Sequence, residues 1–182
     1  MDFISKIGIH SDIEKMQDAA NDIIQLVGWN NYNQIGLNRR FEFTNPWLDA
    51  VGSLFKKDSP SYGAKESDYT VFNSIPEYLK DSINELQLKQ NINLGRARLM
   101  RLLPHRGLSV HRDFEVRYHY VIETNSKAYF CFNNDTTEDL DAKATCYHLP
   151  ADGNWYKIDT TQTHWVYNGG ETPRIHLVVS TY

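Results

Sequence analysis

Hydrophobic positions in this chain follow two different periods, one in each half. In the first half they recur at helical spacing. Ile13, Met16, Ala20, Ile23 and Val27 fall on one stripe, Ser11-Asp12-Ile13-Glu14 ahead of them has capping-box spacing, and Gly28 is a stop. A second capping box, Ser74-Ile75-Pro76-Glu77, precedes Tyr78, Leu79, Ile83 and Leu86 on one helical face. Between the two helices, residues Gln34 to Phe43 predict a short strand, and Asn45 to Asp68 a long connection with a small helical piece near Trp47 to Phe55. Each helix has a single apolar stripe and needs a flat partner to bury it.

From Gly95 onward the period shortens. Strand-like segments follow one another at Arg96–Leu103, Leu108–His111, Arg117–Glu123, Ala128–Phe132, Ala144–His148, Trp155–Lys157, His164–Tyr167 and Arg174–Thr181. Turn formers separate them, among them Pro104, Asn125, Asn133-Asn134-Asp135, Asp152-Gly153-Asn154 and Asn168-Gly169-Gly170. Short strands at this spacing predict a jelly-roll or cupin-like double sheet, with the two helices on the outer face of one sheet. The expected class is α+β, mainly β. Residues 1–182 are read as one domain, with 1–94 a helical and loop support region and 95–182 the β core.

Composition changes this picture little. The apolar and charged fractions are those of an ordinary globular protein, and a net charge of −4 provides no global basic field, which argues against a nucleic-acid partner. The two cysteines, Cys131 and Cys146, make no disulfide framework and no cysteine-rich zinc motif, so free thiols in a reducing cytosol are expected. Met1 to Lys6 lacks the basic and apolar regions of a signal peptide, and no apolar run is long enough to span a bilayer. A cytoplasmic location without membrane partners follows as an expectation. Oligomeric state is left open. One local asymmetry stands out: Arg96, Arg98, Arg101, Arg106, Arg112 and Arg117 cluster in sequence around the residues considered next.

Those residues are His111-Arg112-Asp113, then Thr163-His164-Trp165, then Arg174. On an extended segment His111 and Asp113 point to the same side, and His164 can reach the same mouth from another strand. Two imidazoles and one carboxylate are the ligand set of a mononuclear non-haem Fe(II) site with one face open. Arg174 shares a strand face with His176 and Val178. An inward guanidinium needs an anion, either a structural carboxylate or the carboxylate of a keto-acid cosubstrate. Arg117 and His119 share a face on the strand after the first ligands. Either can contact an acid group, and His119 can equally orient a metal ligand through a hydrogen bond. His176 reads as a buried, hydrogen-bonded residue; His10, His105 and His148 read as structural or exposed. Nucleophilic-serine and phosphate-loop chemistries find no support: there is no Gly-x-Ser-x-Gly elbow, and Gly169-Gly170 lacks a following lysine.

The stretch Arg96-Ala97-Arg98-Leu99-Met100-Arg101-Leu102-Leu103-Pro104, with His111-Arg112-Asp113 and Arg117-Tyr118-His119, resembles the aspartyl/asparaginyl β-hydroxylase family. Trp155 to Thr160, His164, Asn168 and Arg174 to Val178 extend the likeness, which covers roughly residues 95–182. It implies a double-stranded β-helix, Fe(II), 2-oxoglutarate as cosubstrate and O2. Carried over by position, His111, Asp113 and His164 would bind iron and Arg174 the distal carboxylate of 2-oxoglutarate. His119 would approach the cosubstrate, and Arg117 the cosubstrate or a substrate acid group. Asp113 matches the small microbial members rather than the vertebrate branch, and Met100 stands where that branch has a serine. The expected activity is a dioxygenase hydroxylating an amino acid, free or in a peptide, that bears a carboxylate. The alternatives are a non-catalytic metal-binding cupin-like module, or a metal-dependent hydrolase or isomerase on the same scaffold.

Overall fold

Alternation in the second half resolves into two antiparallel sheets that face each other. The computed structural model describes residues 2–133 and 143–182. In chain order its elements are β1 (Ile4–His10), α1 (Ile13–Val27), β2 (Gln34–Gly36), β3 (Asn38–Arg39), β4 (Val71–Phe72), α2 (Glu77–Gln90), β5 (Leu94–Leu102), β6 (Arg106–Gly107), β7 (Arg117–Glu123), β8 (Ala128–Asn133), β9 (Ala144–Tyr147), β10 (Asn154–Ile158), β11 (His164–Asn168) and β12 (Arg174–Thr181). The major sheet runs β1-β10-β7-β12-β5-β2, the minor sheet β6-β11-β8-β9, and β3 pairs with β4 in a small ribbon. This is a mainly-β cupin-type double-stranded β-helix carrying two helices.

Strand parity decides what each face of the major sheet does. Tyr118, Tyr120 and Ile122 of β7, Ala97 and Leu99 of β5, and Ile175, Leu177 and Val179 of β12 pack in one cluster with Met16 and Ile23 of α1 and Leu79, Ile83 and Leu86 of α2. The alternate residues look at the minor sheet. There Leu102, Val121, Tyr156 and Ile158 meet Phe130, Phe132 and Val166 across the sandwich. At the other positions of that inner face stand Arg96, Arg98, Arg117, His119, Arg174 and His176. A sheet covered on both sides thus carries its polar chemistry on the face turned away from the helices.

Several expectations need correction. The N-cap of α1 is Asp12, whose side chain accepts from the Glu14 and Lys15 N–H groups, a cap worth about 1 kcal/mol. Ser11 turns inward instead, 2.6 Å from the Ser82 hydroxyl. Helix α2 starts after Pro76 without a side-chain cap, and Asn91, left-handed at φ 49°, ends it. Trp47 to Phe55 forms turns rather than a helix, and the helical piece of that connection is a 3-10 turn at Glu66–Asp68. The Leu108–His111 strand is reduced to β6 upstream and one bridge at His111. Residues 1–94 do more than support: β1 and β2 are strands of the major sheet, paired with β10 and β5. Cys131 and Cys146, register partners on β8 and β9, are joined in a disulfide. Of the turn expected at Asn133-Asn134-Asp135, the last two residues lie outside the described residues. No helix among those described is long and apolar enough to cross a membrane.

Candidate metal centre

His111 and His164 are brought side by side by a reciprocal pair of main-chain hydrogen bonds, His111 N to His164 O at 3.0 Å and His164 N to His111 O at 2.9 Å. Residues so paired project to the same face, and the two rings lie 4.3 Å apart. Each ring is then turned by a carbonyl: His111 Nδ1 donates to Ser109 O at 2.7 Å and His164 Nδ1 to Gln162 O at 2.9 Å. That fixes the proton on Nδ1 and leaves both Nε2 lone pairs free. Burial holds the His164 imidazole below its ordinary pKa, the neutral form a metal needs. Asp113 is pinned by its N–H to Thr160 O at 2.8 Å. One ligand atom from each of His111, Asp113 and His164 falls within 4.8 Å of the others.

The carboxylate of Asp113 shows that this group fits a cation. Oδ1 accepts from Arg117 at 2.5 Å, while Oδ2 is buried, has no hydrogen-bond partner and lies 3.8 Å from His164 Nε2. A buried carboxylate oxygen left bare is costly unless something positive faces it. Two imidazoles with Nδ1 tied back to carbonyls and one carboxylate oxygen, grouped this closely, suit Fe(II).

Behind the two histidines a narrow cavity runs inward between Phe130, Val166, His119 and Val178 to Arg174. Arg174 is buried, and burial pulls its pKa down to about 9. Its Nη2 donates to His176 Nδ1 at 3.1 Å, and its guanidinium lies 5.9 Å from the Phe130 ring centre. No carboxylate among the described residues pairs with it. Because His176 Nδ1 accepts from Arg174, the proton of the 3.2 Å contact between His119 Nδ1 and His176 Nδ1 belongs to His119. His119 Nε2 is left buried without a partner beside the cavity.

In front of the ligands lies a wider cleft of about 560 Å³, floored by Arg96, Arg98 and Met100 of β5 and walled by the segments 52–59 and 108–114. Arg117 lines both spaces, and its observed partner is Asp113. All six residues expected at the site are therefore gathered around one interior. His10, His105 and His148 lie outside it, with His105 against Glu171 and His148 on the Ala128 carbonyl. Phe130, which stacks on His164 at 5.2 Å, and Gln34 and Ser180 beside Arg98 were not singled out from sequence. For Ser180 a signal exists, since it shares strand parity with Arg174, His176 and Val178.

A family model described as Aspartyl/Asparaginyl beta-hydroxylase matches residues 61–182. No curated protein sequence matches the chain. Among solved structures, AviO1 from Streptomyces viridochromogenes Tue57 is 15% identical with a TM-score of 0.55, the match covering 98% of this chain and 88% of AviO1. The non-heme monooxygenase ThoJ, solved as a nickel complex, is 11% identical at TM-score 0.56, covering 98% of this chain and 72% of ThoJ. EvdMO1 is 14% identical at TM-score 0.54, and this chain spans only 46% of it. At such identities these likenesses establish the fold.

Proposed function

Because the chain belongs to the aspartyl/asparaginyl β-hydroxylase family, a family of Fe(II)- and 2-oxoglutarate-dependent oxygenases, we propose that it hydroxylates a carboxylate-bearing amino acid, free or within a peptide. The observation that carries the reading is the bare Asp113 Oδ2 facing two imidazoles whose Nδ1 atoms are tied back. His111, Asp113 and His164 hold the iron. Arg174, buried and without a carboxylate partner among the described residues, would receive the distal carboxylate of 2-oxoglutarate in that cavity. His119 and Phe130 line the same cavity; with its proton on Nδ1, His119 presents an acceptor at Nε2 and so would shape the cosubstrate's space rather than donate to its carboxylates.

When bound, iron and 2-oxoglutarate supply the oxidation: one atom of O2 enters a substrate C–H bond, and the other goes to the keto acid, which leaves as succinate and CO2. The protein's own part is positional. Ser109 and Gln162 carbonyls fix the two imidazole rings, and Arg117 fixes the carboxylate. Hydrolysis or isomerisation has no use for a guanidinium buried behind the ligands, so Arg174 favours the oxygenase reading over those alternatives.

Anaerobic Fe(II) with 2-oxoglutarate should give the weak visible charge-transfer band of a chelated keto acid, and His111→Ala should abolish it. Admission of O2 should then release succinate. A protein that binds both partners yet forms no succinate with any of a broad set of amino acids and peptides would be the non-catalytic module instead.

A further inference from the structure

Three arginines of this protein are clasped by carboxylates: Arg40 by the buried Asp49, Arg96 by Glu66 and Arg117 by Asp113. Arg174 rests on an imidazole instead. Its Nη2 donates to His176 Nδ1 at 3.1 Å, the one side-chain hydrogen bond that Arg174 makes among the described residues.

Strand geometry brings these groups together. Arg174 and His176 are two apart on β12, so they share a face, with Cα atoms about 7 Å apart at strand rise. His119 of β7 stands opposite Val178, which makes it the diagonal neighbour of His176. The contact between the two rings follows, Nδ1 to Nδ1 at 3.2 Å. Phe130 packs against both partners of His176, 5.7 Å from the His119 ring and 5.9 Å from the guanidinium.

The donors fix the charge of His176. A guanidinium has only N–H groups to offer, so His176 Nδ1 accepts and carries no proton. The ring is therefore neutral, with its proton on Nε2. Burial, and next the charge of Arg174, hold its pKa well below the ordinary histidine value, which agrees. Stability alone gives no reason for a histidine here. Nε2 is buried and without a partner among the described residues, a cost that an aliphatic side chain would not carry.

A neutral partner matters for anion binding. A carboxylate in this place would hold the guanidinium as firmly, but it would cancel the charge and occupy N–H groups that an incoming anion needs. An imidazole acceptor takes one N–H and leaves the charge whole. Arg174 and His119 line the inner cavity and His176 does not, so His176 acts on a ligand there only through them.

We propose that His176 is a positioning residue for the cosubstrate, a neutral prop that aims the Arg174 guanidinium into the inner cavity without cancelling its charge. The assignment rests on the oxygenase reading given above, in which Arg174 takes the distal carboxylate of 2-oxoglutarate.

The test titrates full-length Ni(II)-loaded protein by calorimetry with 2-oxoglutarate and with 2-oxopentanoate, in which a methyl group replaces the distal carboxylate. His176→Asn places an amide oxygen where Nδ1 stands, His176→Asp an anionic oxygen of the same shape, and His176→Leu neither. The His176→Asn protein should bind 2-oxoglutarate within about three-fold of wild type, the His176→Leu protein about ten-fold more weakly, and the His176→Asp protein about thirty-fold more weakly or worse. Affinity for 2-oxopentanoate, and for Ni(II) without keto acid, should stay within about three-fold in all three. The His176→Asn and His176→Asp pair keeps the test decisive if His176→Leu does not fold, since the two differ in charge and not in shape. Equal 2-oxoglutarate affinity in that pair, or wild-type affinity in the His176→Leu protein, overturns the proposal. So does an equal loss for both keto acids, which marks a packing role alone. Undiminished 2-oxoglutarate binding by Arg174→Met, or failure of the wild type to take up Ni(II) and 2-oxoglutarate, would instead overturn the reading beneath it.

Discussion

Arg117 Nη2 holds Asp113 Oδ1 at 2.5 Å, and the other carboxylate oxygen of Asp113 is left buried and free of any hydrogen bond. One oxygen is anchored so that the other has a fixed direction toward His111 and His164. Partners of this kind set the orientation of metal ligands, and their loss commonly lowers metal affinity about 10- to 100-fold. Arg117→Met should therefore weaken Ni(II) or anaerobic Fe(II) binding by that factor in chelator competition, and Arg117→Lys should recover part of it. Unchanged metal affinity with weakened 2-oxoglutarate binding would move Arg117 to the cosubstrate.

Arg174 should show the opposite split. Removing one partner of a buried charge pair costs about 2–5 kcal/mol, equivalent to roughly thirty-fold to several-thousand-fold in affinity. Arg174→Met should weaken 2-oxoglutarate binding to the Ni(II) protein within that range and leave Ni(II) affinity measured without cosubstrate unchanged. Calorimetry on both steps decides it. Lost metal with intact keto-acid affinity would contradict the assigned roles.

Much of this site was legible because strand parity is a strict rule. Arg117–Glu123 and Arg174–Thr181 were bounded correctly from alternation and flanking turns, and each bound carries its site residues to the inner face. What escaped depends on partners distant in sequence. Ser11 lost the cap to Asp12 because Ser82 of α2 and the Tyr120 hydroxyl draw it inward. Leu108 and Val110 look like strand residues, yet their side chains are exposed, and the segment is tied to β11 at two separate points, Leu108 N on Val166 O at 2.8 Å and the bridge at His111. The pairing of Cys131 with Cys146 follows from the β8–β9 register, which two isolated thiols in a sequence do not reveal. Arg96 and Arg98 are equivalent by spacing, and only Glu66, from a distant turn, makes one satisfied and the other bare.

The buried imidazoles predict a pH dependence of stability. His119 and His176 are both held well below the ordinary histidine pKa, chiefly by burial and next by the charge of Arg174. Unfolded, each would titrate near 6.5. Below that pH the unfolded chain binds protons that the folded chain refuses, so stability is complete above about 6.5 and falls as pH drops. Two such groups give a slope of up to about 2.7 kcal/mol per pH unit. Urea unfolding of the metal-free protein at pH 7.5, 6.5 and 5.5 should show a plateau and then that fall, and His119→Gln with His176→Gln should flatten it. A flat wild-type profile would mean that these rings are charged in the folded protein.

The disulfide predicts a stability effect that should stay largely separate from the metal. Cys131 lies between Phe130 and Phe132, both of which pack on the His164 ring, and the bond to Cys146 ties β8 to the edge strand β9. Closing a loop of sequence separation 15 stabilises by about 3 kcal/mol through the unfolded chain. Cys131→Ser with Cys146→Ser should therefore lower the melting temperature by roughly 6–12 °C for a chain of this size. Reductant should do the same to wild type and nothing to the double variant. His164 depends less on that edge, because β11 is also hydrogen-bonded to β6 and to His111. Ni(II) affinity of the double variant should accordingly stay within about three-fold of wild type, by the same reasoning that lets weak sheet edges loosen before the interior. Thiol titration of the unreduced, denatured protein should find no free cysteine, and two titratable thiols would restore the reduced pair expected from composition.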